Sequence, residues 1–306
     1  MSRGQDTFPN LFIVGAPKCG TTWMHEYLAQ HLDIHMSSVK EPRFLSTDID
    51  DRYQHRIRDA DNYFALFSDA GDKRYRGESS VYYLYSDVAC RRIGELADET
   101  RIIVMIRNPV DFIESIHGQF CCTLNETRRQ IADALALEPE RASGRRIPPQ
   151  CHTPFGLQYR KLAHFADRIE QYFASHGRDR VHVIVFDDLK NDSVGVYQSV
   201  LSFLDLPPLE LALEPKNRAV DRRAKNPVSE RLLKLTPGCR RLVGSVPTPV
   251  FQAGRWALDR AFGRRSMDTR PMPAALRAEL TEEFKPEVER LSQLLHRDLS
   301  SWSRVT

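Results

Sequence analysis

The 306-residue chain holds only six cysteines, at positions 19, 90, 121, 122, 151 and 239, and none of them form a Cys-x-x-Cys pair. A chain of this length needs no staples, so reduced thiols are the expectation. A Cys121–Cys151 bridge is the less favoured alternative. Long apolar runs are also missing. The longest are Leu11–Val14, Ile102–Ile106 and Val181–Phe186, all of strand length and far below the roughly 18 residues of a membrane span. The stretch Met1–Asn10 is polar and lacks a basic-then-apolar leader pattern. The expectation is a cytoplasmic protein without an integral membrane segment. An excess of one charge sign is missing too. Lys plus Arg total 44 and Asp plus Glu 41, so the net charge is 44 − 41 = +3. That favours a local anion site over a nucleic-acid surface. No internal repeat or low-complexity tract is present.

With 41% apolar and 28% charged residues, the chain has material for a sizeable core. Division by about 150 residues suggests two domains, but one large α/β domain is equally ordinary. The reading adopted is a single domain, 1–306. Within it, 121–154 is read as an acceptor-side insertion, 214–227 as a basic loop and 272–297 as a C-terminal helix.

Leu11–Val14 is a continuous apolar run and reads as a buried strand. It leads into Gly15-Ala-Pro-Lys-Cys-Gly20, and then into a helical stretch in which Met24, Leu28 and Leu32 recur every four residues. Arg101–Arg107 is a second strand. Asn108 is placed to cap the next helix, with Pro109 in its first turn; Ile113, Ile116 and Phe120 share one side of that helix. Val181–Phe186 is a third strand, with Asp187–Asp192 read as a turn and a helix from about 194 to 204. Strands alternating with helices predict an α/β fold of three layers: a central, mainly parallel sheet flanked by helices, with a P-loop-like nucleotide-binding loop after the first strand.

That loop is the most informative segment. A small-residue turn between a strand and a helix start makes an anion cradle from backbone N–H groups and the helix dipole. The spacing Gly15-x4-Gly20 matches the glycines of a Walker loop, but Gly20 is followed by Thr21 and Thr22, and the lysine, Lys18, sits inside the loop. P-loop NTPases commonly hold Mg²⁺ with an acidic residue at a strand end. Here the second strand ends in Arg107. Lys18, two hydroxyls and Arg107 make a donor-rich site with no obvious metal ligand. Such a site suits an anion that transfers a group without Mg²⁺; a sulfuryl group carries less charge than a terminal phosphoryl group, so a lysine and backbone donors could suffice for one.

Pro17-Lys-Cys-Gly-Thr-Thr-Trp23 resembles the 5′-phosphosulfate loop of sulfotransferases that use 3′-phosphoadenosine 5′-phosphosulfate (PAPS). Arg107-Asn-Pro-Val-Asp-Phe-Ile-Glu-Ser115 resembles their 3′-phosphate motif. Lys40-Glu-Pro-Arg-Phe-Leu-Ser46 and Gly77-Glu-Ser-Ser-Val-Tyr-Tyr-Leu84 are similar to segments of the branch that includes the heparan-sulfate enzymes and many bacterial relatives. The tail, Leu295–Trp302, is similar to the common ending. The resemblance spans nearly the whole chain in order.

It implies PAPS as donor and 3′,5′-adenosine bisphosphate (PAP) as product. Lys18 would stabilise the leaving phosphate, with Cys19, Gly20, Thr21, Thr22 and Trp23 around the 5′-phosphate and Arg107 and Ser115 on the 3′-phosphate. A late basic loop, here Arg218, Arg222, Arg223 and Lys225, would close over that phosphate; a solvated charge run is the plain alternative. Glu41 matches the general base, and partial burial near an anion is expected to raise its pKa; a surface glutamate paired with Lys40 is the plain alternative. Members that sulfate 3-hydroxyls carry His and Asp where this chain has Arg43 and Ser46. His117 is the rival base, with a packed histidine as the plain alternative. Arg43 and Gln119 are expected on the acceptor side, and Glu78 either contacts the acceptor or supports the residues that do, with Ser80 and Tyr83 read as structural. The aromatic and arginine-rich stretch Phe251–Arg265 reads as a cap helix, or as an amphipathic helix facing a lipid-like or polymeric acceptor.

The expected function is sulfuryl transfer to a hydroxyl or amine of a sugar, lipid or small metabolite. A P-loop kinase or NTPase would need a lysine after Gly20 and an acidic Mg²⁺ ligand. A non-catalytic nucleotide- or polyanion-binding protein would bind PAP but transfer nothing. Acceptor identity and oligomeric state are not readable from the sequence.

Overall fold

The computed structural model describes residues 8–52, 57–96, 99–209 and 271–304. Arg218, Arg222, Arg223, Lys225 and the stretch 251–265 lie outside the described residues. Within what reads as one domain, the chain divides into two compact units. The first is Met1–Ile113, Arg160–Lys216 and Pro273–Thr306; the second is Glu114–Tyr159 and Asn217–Met272. The 121–154 segment falls in the second unit.

The first unit is built on a five-stranded sheet flanked by helices. Its strands are β1 (Leu11–Gly15), β2 (Ile34–Met36), β3 (Tyr75–Ser79), β4 (Arg101–Ile106) and β5 (Val181–Val185), in the order β2-β3-β1-β4-β5. Every neighbouring pair is parallel. Strand β1 is buried along its whole length and β4 at every residue after Arg101. This is why both appear as unbroken apolar runs: a parallel strand covered on both faces has no polar alternation.

Two strands were not legible in the sequence. β2 is three residues long, and β3 reads Tyr-Arg-Gly-Glu-Ser, without an apolar run. Close approach holds them together: a Cβ on Gly77 would lie 2.3 Å from Met36 Sδ.

Helices follow as α1 (Thr21–Leu28), α2 (Ala60–Phe64), α3 (Asp87–Leu96), α4 (Pro109–Cys122), α5 (Ile131–Ala136), α6 (Glu138–Ala142), α7 (Tyr159–Ala163), α8 (Ala166–His176), α9 (Phe186–Asn191), α10 (Ser193–Phe203), α11 (Ala274–Glu283) and α12 (Lys285–Leu295). Asn108 Oδ1 accepts from the N–H groups of Val110 (2.8 Å) and Asp111 (3.3 Å), so the expected cap of α4 is in place.

Three local expectations are corrected. Helix α1 stops at Leu28; the His31 N–H turns back to the Leu28 carbonyl and the Ile34 N–H to that of His31, which leaves Leu32 81% exposed beyond the helix. The segment read as a turn after β5 is α9, because Leu189 is buried while Asp187 and Asp188 sit favourably in the helix's first turn. The stretch 272–297 is two helices meeting at Phe284. Pro286 lies in the first turn of α12, where its missing N–H costs nothing.

The chain starts in the middle of the sheet, runs out to the β2 edge, returns to β3 beside β1, and then crosses to β4 on the other side. The strand order therefore reverses between β1 and β4. In open parallel sheets ligands bind beyond the carboxyl ends of the strands at such a switch point. Among the described residues no helix is long and apolar enough to cross a membrane.

Candidate functional site

The loop after β1 occupies that switch point. The Ala16 N–H donates to the Met105 carbonyl at 2.6 Å, tying the loop to β4. Gly20 has φ +90°, and a Cβ there would lie 2.5 Å from Leu189 Cδ2. Glycine is thus required both for backbone conformation and for space. Lys18 is also left-handed, at φ 66°, and is half-buried. No side chain caps α1, so the N–H groups of its first turn (Thr21, Thr22, Trp23) have no intrahelical partner and remain available to an anion. Thr21 is buried, and Thr22 and Trp23 are half-buried. Cys19 is fully buried. Burial pushes its thiol up to about 12, and its Sγ donates to the Pro17 carbonyl at 3.5 Å.

Arg107, at the end of β4, reaches the same loop. Its Nη1 donates to the Lys18 carbonyl at 3.3 Å, its guanidinium carbon lies 4.9 Å from the Phe186 ring centroid, and Asp111 is 3.6 Å from Nη2. Its Nε is buried without a hydrogen-bond partner. An orphaned buried donor costs on the order of 1–3 kcal/mol, and a bound anion would meet it. The donor set therefore fits an anionic nucleotide.

The β4 and β5 ends are locked together by the chain's tail. Asn108 Nδ2 donates to the Trp302 carbonyl at 3.2 Å, and Trp302 Nε1 donates to Asp187 at 2.8 Å. Burial pushes the Asp187 carboxyl up, but hydrogen bonds from Lys190 and Trp302 outweigh it and hold it below the usual range. The tail motif was noted in the sequence; its partner Asp187 was not, because nothing in sequence links positions 115 residues apart.

Glu41 hangs from β3: its N–H donates to the Ser79 carbonyl at 2.8 Å. Its carboxylate lies 3.4 Å from Lys40 Nζ and is held by Arg43 through Nε (3.1 Å) and Nη2. Burial pushes the carboxyl up, but the Arg43 and Lys40 charges outweigh it and the pKa is lowered. The expected upward shift is therefore reversed. Arg43 also donates to Asp51 at 2.8 Å and lies over the Tyr82 ring. Arg43, expected on the acceptor side, thus has its guanidinium engaged by two carboxylates.

Glu78, expected to contact the acceptor or to support the residues that do, is fully buried and accepts from the hydroxyls of Tyr63, Ser80 and Tyr83. Burial, opposed by these hydrogen bonds, raises its carboxyl to about 7. His25, on α1, went unnoticed in the sequence. Its Nδ1 lies 2.9 Å from Ser79 Oγ. Burial and then the Lys40 charge lower it to about 4, so it is neutral at pH 7.

The remaining expected residues lie in the second unit. Ser115 and Gln119 are half-buried on α4. His117 is buried, and its Nε2 donates to the Arg128 carbonyl at 2.8 Å. Its ring packs edge-on against Tyr159, and burial lowers its pKa. With Nε2–H on a carbonyl, the ring is fixed in orientation, as the plain alternative of a packed histidine expects, and Nδ1 is the nitrogen that carries the basic lone pair. Beside it, Glu126 accepts from both Arg141 Nη atoms (2.6 and 2.8 Å) and from the Tyr159 hydroxyl (2.8 Å).

Fold and loop together define an α/β nucleotide-binding protein with a cationic strand–loop–helix cradle. The chain belongs to the sulfotransferase family: residues 8–232 match its sulfotransferase domain. It is similar to a sulfotransferase of known structure from Alicyclobacillus acidocaldarius, at 28% identity and a TM-score of 0.69 over 97% of this chain and 99% of that one. It is also similar to heparan sulfate glucosamine 3-O-sulfotransferase 6 of Mus musculus, 32% identical over 124 residues, which is 40% of this chain and 33% of that protein. The human bifunctional heparan sulfate N-deacetylase/N-sulfotransferase 2 is 23% identical over 214 residues, 66% of this chain. The match spans a third of the mouse protein and 22% of the human one.

Proposed function

We propose that this chain moves a sulfuryl group from PAPS to a hydroxyl or amine of a carbohydrate, lipid or small-molecule acceptor. The observation that carries the reading is the Arg107 guanidinium, which touches the Lys18 carbonyl at the switch point while its buried Nε stays open. When bound, PAPS supplies the sulfuryl group and departs as PAP.

The chain's own residues do the rest. The α1 N–H groups and the hydroxyls of Thr21 and Thr22 hold the 5′-phosphate. In this reading the Lys18 ammonium stabilises the negative charge that develops on the leaving oxygen and so lowers the barrier. Arg107 grips the 3′-phosphate with charge-assisted bonds. The same phosphate is assigned to Ser115, Arg222 and Arg223 on sequence resemblance alone. Glu41 takes the acceptor's proton. Its pKa is lowered by its cations, so it is ionised and ready at neutral pH. Holding donor and acceptor in one site supplies the proximity contribution.

The test is transfer of labelled sulfate from PAPS across a panel of sugars, phenols, amines and lipids in the presence of EDTA. Turnover with EDTA supports the reading. Turnover that requires Mg²⁺ favours a P-loop kinase or NTPase, and PAP binding with no transfer favours a nucleotide-binding protein.

A further inference from the structure

Glu78 lies opposite Phe12 in the sheet and is fully buried. Its Oε1 accepts from the Tyr63 hydroxyl at 2.6 Å and the Tyr83 hydroxyl at 2.9 Å, and its Oε2 accepts from Ser80 Oγ at 2.7 Å. Each of these three residues touches one short stretch of chain. Ser80 Oγ accepts the Arg43 N–H at 3.0 Å, and the Tyr83 hydroxyl accepts the Leu45 N–H at 3.0 Å. The Tyr63 ring stacks on Phe44 with centroids 4.3 Å apart. Ser79, next to Glu78, takes the Glu41 N–H. Residues 41, 43, 44 and 45 are thus fastened to Glu78 or its immediate neighbours.

This stretch needs fastening. Glu41 and Arg43 sit at φ 62° and 54°, a region disfavoured for side chains with a Cβ that persists only where surrounding bonds dictate it. A hydroxyl that donates to a carboxylate has its proton committed and its oxygen polarised, so it is a better acceptor for a backbone N–H. Without the carboxylate, Ser80 and Tyr83 would be free to rotate and donate elsewhere.

We propose that Glu78 is a positioning residue of the sulfuryl-transfer site: acting through Ser80, Tyr83 and Tyr63, it fixes the 41–45 stretch and so aims the Glu41 carboxylate and the Arg43 guanidinium bound to it. Its importance for catalysis rests on the reading of Glu41 as proton acceptor.

The experiment is amide hydrogen exchange resolved to single residues by NMR, together with titration of the ¹³C-labelled Glu41 carboxyl, assigned by its loss in Glu41→Gln. In the wild type the Arg43 and Leu45 amides are protected, and Glu41 titrates below the ordinary carboxylate range. In Glu78→Gln both amides exchange about tenfold faster or more beyond any change in the amides of β1 and β4, which report global stability, and the Glu41 titration moves up as its grip on Arg43 loosens. In Ser80→Ala only the Arg43 amide loses protection, and in Tyr83→Phe only the Leu45 amide. These two variants carry the test should Glu78→Gln not fold. Wild-type protection of both amides in Glu78→Gln, an unmoved Glu41 titration, or loss of protection at Arg43 and Leu45 no greater than in β1 and β4 each overturns the proposal. Transfer activity in Glu41→Gln is a separate readout. Its survival would sink the proton-acceptor reading, while the hold on the 41–45 stretch would still be judged on exchange and on the Arg43 contacts.

Discussion

The guanidinium of Arg107 donates to the main-chain carbonyl of Lys18 at 3.3 Å. The two residues are 89 positions apart and come from the ends of neighbouring strands β1 and β4. The contact ties the loop to the end of β4. Removal of Arg107 is therefore expected to act twice, on the loop and on the proposed nucleotide site.

Arg107→Ala is expected to weaken PAP binding roughly 100-fold or more, because each lost charge-assisted bond is worth about 1.5–3 kcal/mol and about 1.4 kcal/mol is tenfold. Arg107→Lys is expected to recover little, since an ammonium cannot reproduce the planar fork. Calorimetric titration with PAP checks both. Wild-type affinity in Arg107→Ala would remove Arg107 from the nucleotide site.

Glu41 is held down by its cations, Arg43 above all. The acidic limb of the rate profile is therefore expected below the ordinary carboxylate range. Burial pushes Glu41 the other way, so Arg43→Ala should move that limb to higher pH. Rates against pH for the two proteins decide this. A limb that stays put in Arg43→Ala would mean that another group takes the proton.

Glu78 couples stability to pH. Its carboxyl is raised from 4.5 to about 7 in the fold, so the folded state binds the extra proton between those values. The stabilising contribution is complete below the unfolded pKa and is lost as the pH rises through about 7. A shift of this size corresponds to about 3 kcal/mol. Glu78→Gln cannot titrate. The stability of Glu78→Gln relative to wild type is therefore expected to rise by about that amount from pH 5 to pH 8. Denaturant unfolding of both proteins at the two pH values measures the difference, and a constant difference would contradict the buried, titrating carboxyl.

The pair Glu126–Arg141 is buried on both sides, at 0% and 1% side-chain exposure. Arg141→Ala leaves an uncompensated carboxylate and is expected to cost about 3–5 kcal/mol, read as a lower denaturant midpoint. A loss under about 1 kcal/mol would place the pair with weak surface bridges.

How much was legible in the sequence follows burial. β1, β4 and β5 announced themselves because sheet burial demands apolar runs, and the Gly15–Thr22 loop because a left-handed turn demands glycine. β3 stayed hidden because its interior position is held by Glu78, a polar residue whose hydroxyl partners are Ser80 and Tyr83 just past the strand and Tyr63 from α2. The residue type of Glu41 was readable, but its pKa was not, since the shift depends on how Arg43 folds back onto it. His117 was readable as a residue type, but the Arg128 carbonyl that takes its Nε2–H was not, since that partner is fixed only by the turn after α4. Trp302 and Asp187 needed the tail to be seen across the β5 end.

The most direct test of the central claim is single-turnover transfer of labelled sulfate from PAPS by wild-type protein and by Lys18→Ala, with EDTA present. The wild type should move the label to an acceptor. Lys18→Ala, folded and still able to bind PAP, should be slower by about 10²-fold or more. Equal rates in the two proteins would contradict a sulfuryl-transfer site built on the Lys18 loop.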